Sequence, residues 1–260
     1  MLTYIRKIAQ YHELLYFLFV REVKAKYKQT VLGVAWSLLQ PLSLMVVFTV
    51  VFSLFARLPS DGVPYALFSY CALVPWQFFA GVLGRGAGSL LSNQVLVQKV
   101  YFPRELIPLS VVAAAVVDFA IGVALFMILL WFYSISVGVM TLLVLPVFLI
   151  QCVFVIGLIF LLAPMNVFYR DIGFIIPVAI QLMMFATPII YPLSIVPERF
   201  RPYYILNPMA GIIEGYRRIL LHQAAPDWTS LGVAVIISLA VFALGFAYFK
   251  RVEFKMADVM

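Results

Sequence analysis

Trp131-Phe132-Tyr133-Ser134-Ile135-Ser136-Val137-Gly138 lies inside the longest uncharged run of the chain, Phe119 to Tyr169, and its reading decides the fold. As one helix that run would extend about 75 Å at 1.5 Å per residue, roughly twice the hydrocarbon thickness of a bilayer. The chain therefore has to turn back within it. The octapeptide is the place to do so, because interfacial aromatics stand there beside small and polar turn residues.

Working outward from this turn, the other charge-free stretches are Gln29 to Ala56, Gly62 to Gly84, Leu106 to Val117 running on past Asp118, Ile172 to Pro197 and Trp228 to Phe249. A crossing helix needs about 20 apolar residues. The pattern predicts an all-α membrane protein forming one permease-like domain over residues 1–260, with six transmembrane helices at about 33–56, 65–88, 106–131, 139–163, 173–193 and 229–249. Composition agrees: 65% of residues are hydrophobic and 11% charged, against about 25% charged in soluble domains.

The net charge of +7 comes from residues scattered between apolar runs. A nucleic-acid-binding protein gathers Lys and Arg on one solvated face, so no nucleic-acid partner is expected. With the N-terminus in the cytoplasm, the inner segments carry thirteen Lys and Arg, and the outer segments carry Arg57, Arg199, Arg201, Arg217 and Arg218. The positive-inside rule selects that orientation, with both termini cytoplasmic.

Residues 1–30 place Ile5, Ile8, Leu15, Phe19 and Val23 at near-helical spacing among charged residues. This predicts an amphipathic helix in the cytoplasmic interface, with Lys24, Lys26 and Lys28 at the headgroups; a solvated tail is the alternative. In the outer region 194–228, Asn207-Pro208 is a helix start. The helix it opens turns Ile212, Ile213, Tyr216, Ile219 and Leu220 one way and Glu214, Arg217 and Arg218 the other, as in a short helix at the outer interface. Pro188, Pro192, Pro197 and Pro202 precede it. Irregular backbone at membrane depth needs cover from protein or water, which points to a packed outer vestibule.

Chemistry is sparse. No Gly-x-x-x-x-Gly-Lys-Ser/Thr phosphate loop occurs. Gly84 and Gly88 have the spacing of a close helix–helix contact. Asp118 is the one charged residue near the middle of a predicted span; it reads either as a proton-coupling group or as a hydrogen-bonded structural residue. His12 and His222 fall on opposite sides of the membrane, and Cys71 and Cys152 lie singly in apolar stretches, so neither a metal centre nor a catalytic dyad is expected. Trp36, Phe48, Phe52, Phe55, Trp76, Phe78 and Phe79 cluster on the first two spans. Sugar rings stack on such faces, although for any single one of these residues interfacial or lipid-facing packing is the reading to prefer. Two inner segments, 92–105 and 166–173, set charge beside aromatics: Lys99, Tyr101, Phe102, Arg104 and Glu105 in one, Tyr169, Arg170 and Asp171 in the other. That combination is enriched at protein interfaces and is also found in ordinary headgroup loops.

Four places together resemble the permease subunits of polysaccharide and O-antigen ABC exporters, the type-two exporter family. They are Arg21-Glu22-Val23-Lys24-Ala25-Lys26-Tyr27-Lys28-Gln29-Thr30-Val31-Leu32-Gly33 leading into Trp36-Ser37-Leu38-Leu39-Gln40-Pro41; Lys99-Val100-Tyr101-Phe102-Pro103-Arg104-Glu105; Asn166-Val167-Phe168-Tyr169-Arg170-Asp171-Ile172; and Leu206-Asn207-Pro208-Met209. The resemblance implies a homodimer in the bacterial cytoplasmic membrane, joined by two copies of a separate ATP-binding subunit that holds ATP and Mg, with no cofactor in this chain. It implies a polyprenyl-pyrophosphate-linked glycan as cargo. Lys99 to Glu105 would be the segment seated in the ATPase, with Arg170-Asp171 as a smaller contact. Arg21, Lys24, Lys26 and Lys28 would attract the lipid pyrophosphate, and Trp36, Phe48, Phe52 and Phe55 would line the pathway.

Overall fold

The computed structural model describes residues 10–28, 33 and 35–259. Ile5, Ile8 and the Gln29–Leu32 part of the first motif lie outside the described residues. Among those described the elements are helical, with no strand. In chain order they are α1 (His12–Tyr27), α2 (Ala35–Phe48, continued by the π-helical turns Thr49–Phe55), α3 (Tyr65–Gly86), α4 (Ser89–Ser92), α5 (Gln94–Lys99), α6 (Leu106–Phe132), α7 (Val144–Phe168, preceded by a 3-10 segment Val139–Leu143), α8 (Ile172–Ala186), α9 (Arg201–Ile205), α10 (Pro208–Leu221) and α11 (Trp228–Val259).

Among the described residues, five helices are long and apolar enough to cross a bilayer: Ala35–Phe55, Tyr65–Gly86, Leu106–Phe132, Val139–Phe168 and Trp228–Met256. The sixth expected span, 173–193, corresponds to α8, which has 15 residues. At about 22 Å it is shorter than the roughly 30 Å hydrocarbon core. The helix stops where Thr187-Pro188 takes over, and Thr187 is extended.

The octapeptide turns as its composition requires. α6 ends at Phe132, the Tyr133 N–H closes on the Leu129 carbonyl, and Ser134 adopts a left-handed φ of 56°. The Gly138 N–H then donates to Gln223 Oε1 at 2.9 Å, fixing the turn to the end of α10.

α3 is the hub. Leu67, Tyr70, Leu73, Phe79 and Val82 are fully buried, against α6, α7 and α10. Phe78 meets Phe119 and Phe148, and Tyr70 stacks on Phe126. A second core lies at the end of the bundle where Lys99, Arg170 and Lys250 stand, hereafter the basic end. There Leu18 of α1, Leu90, Val97, Phe102 and Leu106 pack with Phe160, Phe249 and Met256.

Two expectations about packing need correction. The close glycine contact is not Gly84–Gly88: a Cβ at Gly84 would meet nothing within 4 Å. Instead α7 and α11 touch backbone to backbone, where a Cβ on Gly245 would lie 2.1 Å from the Gly157 carbonyl oxygen. And α10 does not rest on the surface with Arg217 facing out. Met209, Ile212, Ile213 and Ile219 are fully buried, and Arg217 is 2% exposed. The helix is wedged between α3, α7 and α11, so both of its faces meet protein.

Candidate functional site

At the basic end, the Lys99–Glu105 segment follows α5 and is held from below. Phe102 is 5% exposed within the second core. Glu105 is fully buried and ion-paired to Lys250 of α11, whose Nζ also lies 2.8 Å from Glu253 Oε2. The Arg104 guanidinium donates to the Glu253 carbonyl. Three of the five expected contact residues of this segment thus face inward or are engaged by α11. Lys99 and Tyr101 remain exposed, Tyr101 at 77%. Phe102 and Glu105 therefore face the chain's own core and set the loop's shape, rather than standing at its surface.

The second segment stands at the same end. Buried Asn166 donates from Nδ2 to the Ala87 carbonyl at 3.0 Å, tying the end of α7 to the end of α3. Tyr169, Arg170 and Asp171 beyond it are exposed. An open groove of about 600 Å³ beside α5 is lined by Arg21, Asn93, Val95, Lys99 and Val100. Arg21 donates there to Asn93 Oδ1.

The expected pyrophosphate-attracting residues divide. Lys24 and Lys28 are exposed. Lys26 is not at the headgroups alone: its Nζ lies 2.6 Å from Asp118 Oδ2, near the midpoint of α6. The Tyr27 hydroxyl donates to Asp118 Oδ1, and Arg85 stands 3.8 Å from the same carboxylate. α1 therefore runs along the basic half of α6. Its packed stripe centres on buried Leu18, with Tyr11, Leu14 and Leu15 partly buried beside it, and Phe19 and Val23 of the sequence reading are partly buried too. Asp118 thus joins two neighbouring helices, as its structural reading had it.

This ionic cluster closes one side of a 410 Å³ cavity among α1, α2, α3, α6 and α8. Gln40, Gln77, Trp76, Phe78, Phe119 and Met184 line it. None of the four expected pathway aromatics is among its lining residues. Phe48 is buried and packs edge-on against Phe52 at 5.5 Å, whereas Trp36 and Phe55 are exposed at 51% and 77%.

At the opposite end the irregular backbone after α8 is covered, as its proline content demands. Arg217 of α10 donates to the Pro188 and Ile189 carbonyls at 2.6 and 2.7 Å, and its guanidinium lies 3.7 Å from the centre of the Phe68 ring. Asn207 donates to Thr187 Oγ1, and the Tyr65 hydroxyl donates to the Ile190 carbonyl at 2.6 Å. Asp227 caps α11, and the Ser230 hydroxyl bonded to it holds its carboxyl below the ordinary range. A further polar link joins α3, α7 and α10: Gln151 donates to the Pro75 carbonyl and accepts from the Tyr216 hydroxyl.

Sequence reasoning passed over Arg85, Gln151, Lys250 and Glu253, and misplaced Arg217. A glutamine inside a long apolar run is a signal that could have found Gln151, because a buried amide demands partners. Among the described residues, no group of three His, Cys, Asp or Glu side chains is placed to hold a metal ion.

Comparison with known proteins gives this architecture a family. The ABC-2 type transporter model matches residues 13–221. The chain is 31% identical to the O-antigen export system permease protein RfbA of Myxococcus xanthus over 98% of both chains. It is 27% identical to the RfbA protein of Klebsiella pneumoniae over 92% of each. It is 23% identical to the polysialic acid transport protein KpsM of Escherichia coli, over 92% of this chain and 93% of that one. The chain belongs to the ABC-2 type transporter family.

Proposed function

We propose that this protein is the membrane-spanning subunit of an ATP-driven exporter that moves a lipid-linked, O-antigen-like polysaccharide across the bacterial inner membrane. The observation that carries this reading is the basic end. Two segments there expose Lys99 and Tyr101, and Tyr169, Arg170 and Asp171, on loops anchored to a packed core. The sequence contains no phosphate-loop motif of its own. Rigid exposed loops in a chain without a motor motif suit docking to a separate motor. The full-length similarity to named O-antigen export permeases supports the cargo class.

In this reading the basic end faces the cytoplasm, both termini with it, and two ATP-binding subunits grip it and hold ATP and Mg. α8 with the 187–191 segment is the sixth crossing. Tyr65 on α3 already reaches the Ile190 carbonyl at the far end, so the chain covers the bundle's height in this stretch. α2 and α8 expose much of their apolar surface, with Phe48 and Pro41 the buried residues of one and Ile176 of the other. That surface is available to a second copy, making a homodimer with the pathway at its seam and Trp36 and Phe55 beside it. Arg21, Lys24, Lys26 and Lys28 form the entrance for a polyprenyl-pyrophosphate headgroup, since clustered cations favour phosphate charge.

Co-expression with the ATP-binding subunits of the same genome, affinity capture, and an ATPase and export assay with purified lipid-linked glycan test the proposal. Co-purification and glycan-stimulated hydrolysis are expected. Export with no ATP-hydrolysing partner would refute it. Similarity to a polysialic acid transport protein favours a capsule-type polysaccharide as the second cargo to assay.

A further inference from the structure

We infer that Lys250 and Glu253 are the positioning residues through which movement of the Lys99–Glu105 segment enters the rest of the molecule, and that α11 carries it to the opposite end. This rests on the exporter reading above.

The attachment is specific. Glu105 is fully buried and paired with Lys250, Lys250 is braced by Glu253, and Arg104 donates to the Glu253 carbonyl. Phe102 packs in the same core as Phe249 and Met256. Separating Glu105 from Lys250 would strand a buried charge, which is strongly unfavourable. The segment and the end of α11 therefore move together.

Three features turn that local bond into a long one. α11 has 32 residues, so it is about 48 Å long. It packs backbone to backbone on α7 at Gly157 and Gly245, so the two helices shift as one body. At its far end it carries α10: a Cβ on Gly211 would lie 2.8 Å from the Ser230 carbonyl oxygen. α10 in turn holds the break after α8 through Arg217. Displacement at the exposed Tyr101 is thus delivered by contiguous packed elements to the irregular backbone at residues 188 and 189.

The test uses the complete complex with its ATP-binding partner. Lys250→Glu, Lys250→Met, Lys250→Arg and the exchange Glu105→Lys with Lys250→Glu are compared for assembly, ATP hydrolysis and glycan export. Lys250→Glu and the milder Lys250→Met should still hydrolyse ATP while export per ATP falls about tenfold or more, because a buried pair has been broken. Lys250→Arg should keep most coupling, and the exchange should restore at least half of what Lys250→Glu loses. A wild-type export ratio in both Lys250→Glu and Lys250→Met, or an exchange that restores nothing, would overturn the inference. A wild-type complex that exports without any ATP-hydrolysing partner would overturn the underlying reading, and the inference with it.

Discussion

Lys26 Nζ lies 2.6 Å from Asp118 Oδ2, pinning the end of helix α1 to the middle of α6. The same carboxylate accepts from the Tyr27 hydroxyl and faces Arg85, so one acid holds three groups from two other helices. This makes Asp118 a tether for α1 and leaves a proton-carrying role without the chain of acids that such relays use. The pair is only partly buried, its side chains 34% and 21% exposed, so its contribution to stability is modest.

Asp118→Asn should accordingly cost less than about 1 kcal/mol in stability and leave export independent of a proton gradient. Lys26→Met combined with Asp118→Asn should cost less than the sum of the two, since both remove one interaction. Thermal denaturation in detergent and export assays in vesicles with and without an uncoupler check both points. Abolition of export by Asp118→Asn, with assembly intact, would restore the proton-coupling reading.

Arg217→Met removes the donors to the Pro188 and Ile189 carbonyls while keeping most of the side chain's bulk. Two buried carbonyls left unpaired should cost about 2–4 kcal/mol. Arg217→Lys should fall between wild type and Met, because an ammonium lacks the planar fork that reaches both oxygens. Melting temperature and yield of folded protein in detergent measure the series. Equal stability of all three proteins would mean that the break after α8 is held by Asn207 and Tyr65 alone.

The same residue shows where the sequence stops being legible. Charge-free stretches of about 20 residues located the five long helices, three of them within about two residues, while α7 runs on to Phe168 and α11 to Val259, because lipid imposes one local rule only where the chain lies in it. The turn at 131–138 was readable for that reason, and so was the need to cover the prolines after α8. Arg217 was assigned outward because it falls on the charged side of an amphipathic helix, which ordinarily faces water. Its burial depends on carbonyls 28 and 29 residues earlier in the chain, which no local pattern reports. Glu105 and Lys250 are likewise separated by most of the chain, and Gly157 and Gly245 carry no visible motif spacing. The loops that bear the candidate contacts could be located, but which of their side chains turn inward is decided by α11.

Glycine substitutions along α11 separate packing from propensity. Gly232 has open space around its would-be Cβ, so Gly232→Ala should stabilise by about 0.5–1 kcal/mol through helix propensity alone. Gly245→Ala puts a methyl against the Gly157 carbonyl and forces α7 and α11 apart, at a cost of about 1–3 kcal/mol or more. Opposite shifts in melting temperature are the expected outcome. Equal shifts would show that the two helices can separate without penalty.

Tyr101 and Phe102 are adjacent aromatics with opposite surroundings, the first 77% exposed and the second 5% exposed in the second core. Tyr101→Ala removes surface that nothing in the chain covers, so melting should shift by less than about 0.5 kcal/mol in equivalent stability. Its effect should appear in the complex: export per ATP hydrolysed falls, because the ring is available to the motor subunit. Phe102→Ala opens a cavity among Leu18, Leu106 and Phe249 and should cost about 3–5 kcal/mol. The two variants should therefore separate cleanly, one losing coupling with stability intact and the other losing folded protein. Export per ATP and thermal denaturation, run on the same preparations, decide it. If Tyr101→Ala couples normally, the motor takes its hold at Tyr169, Arg170 and Asp171 instead.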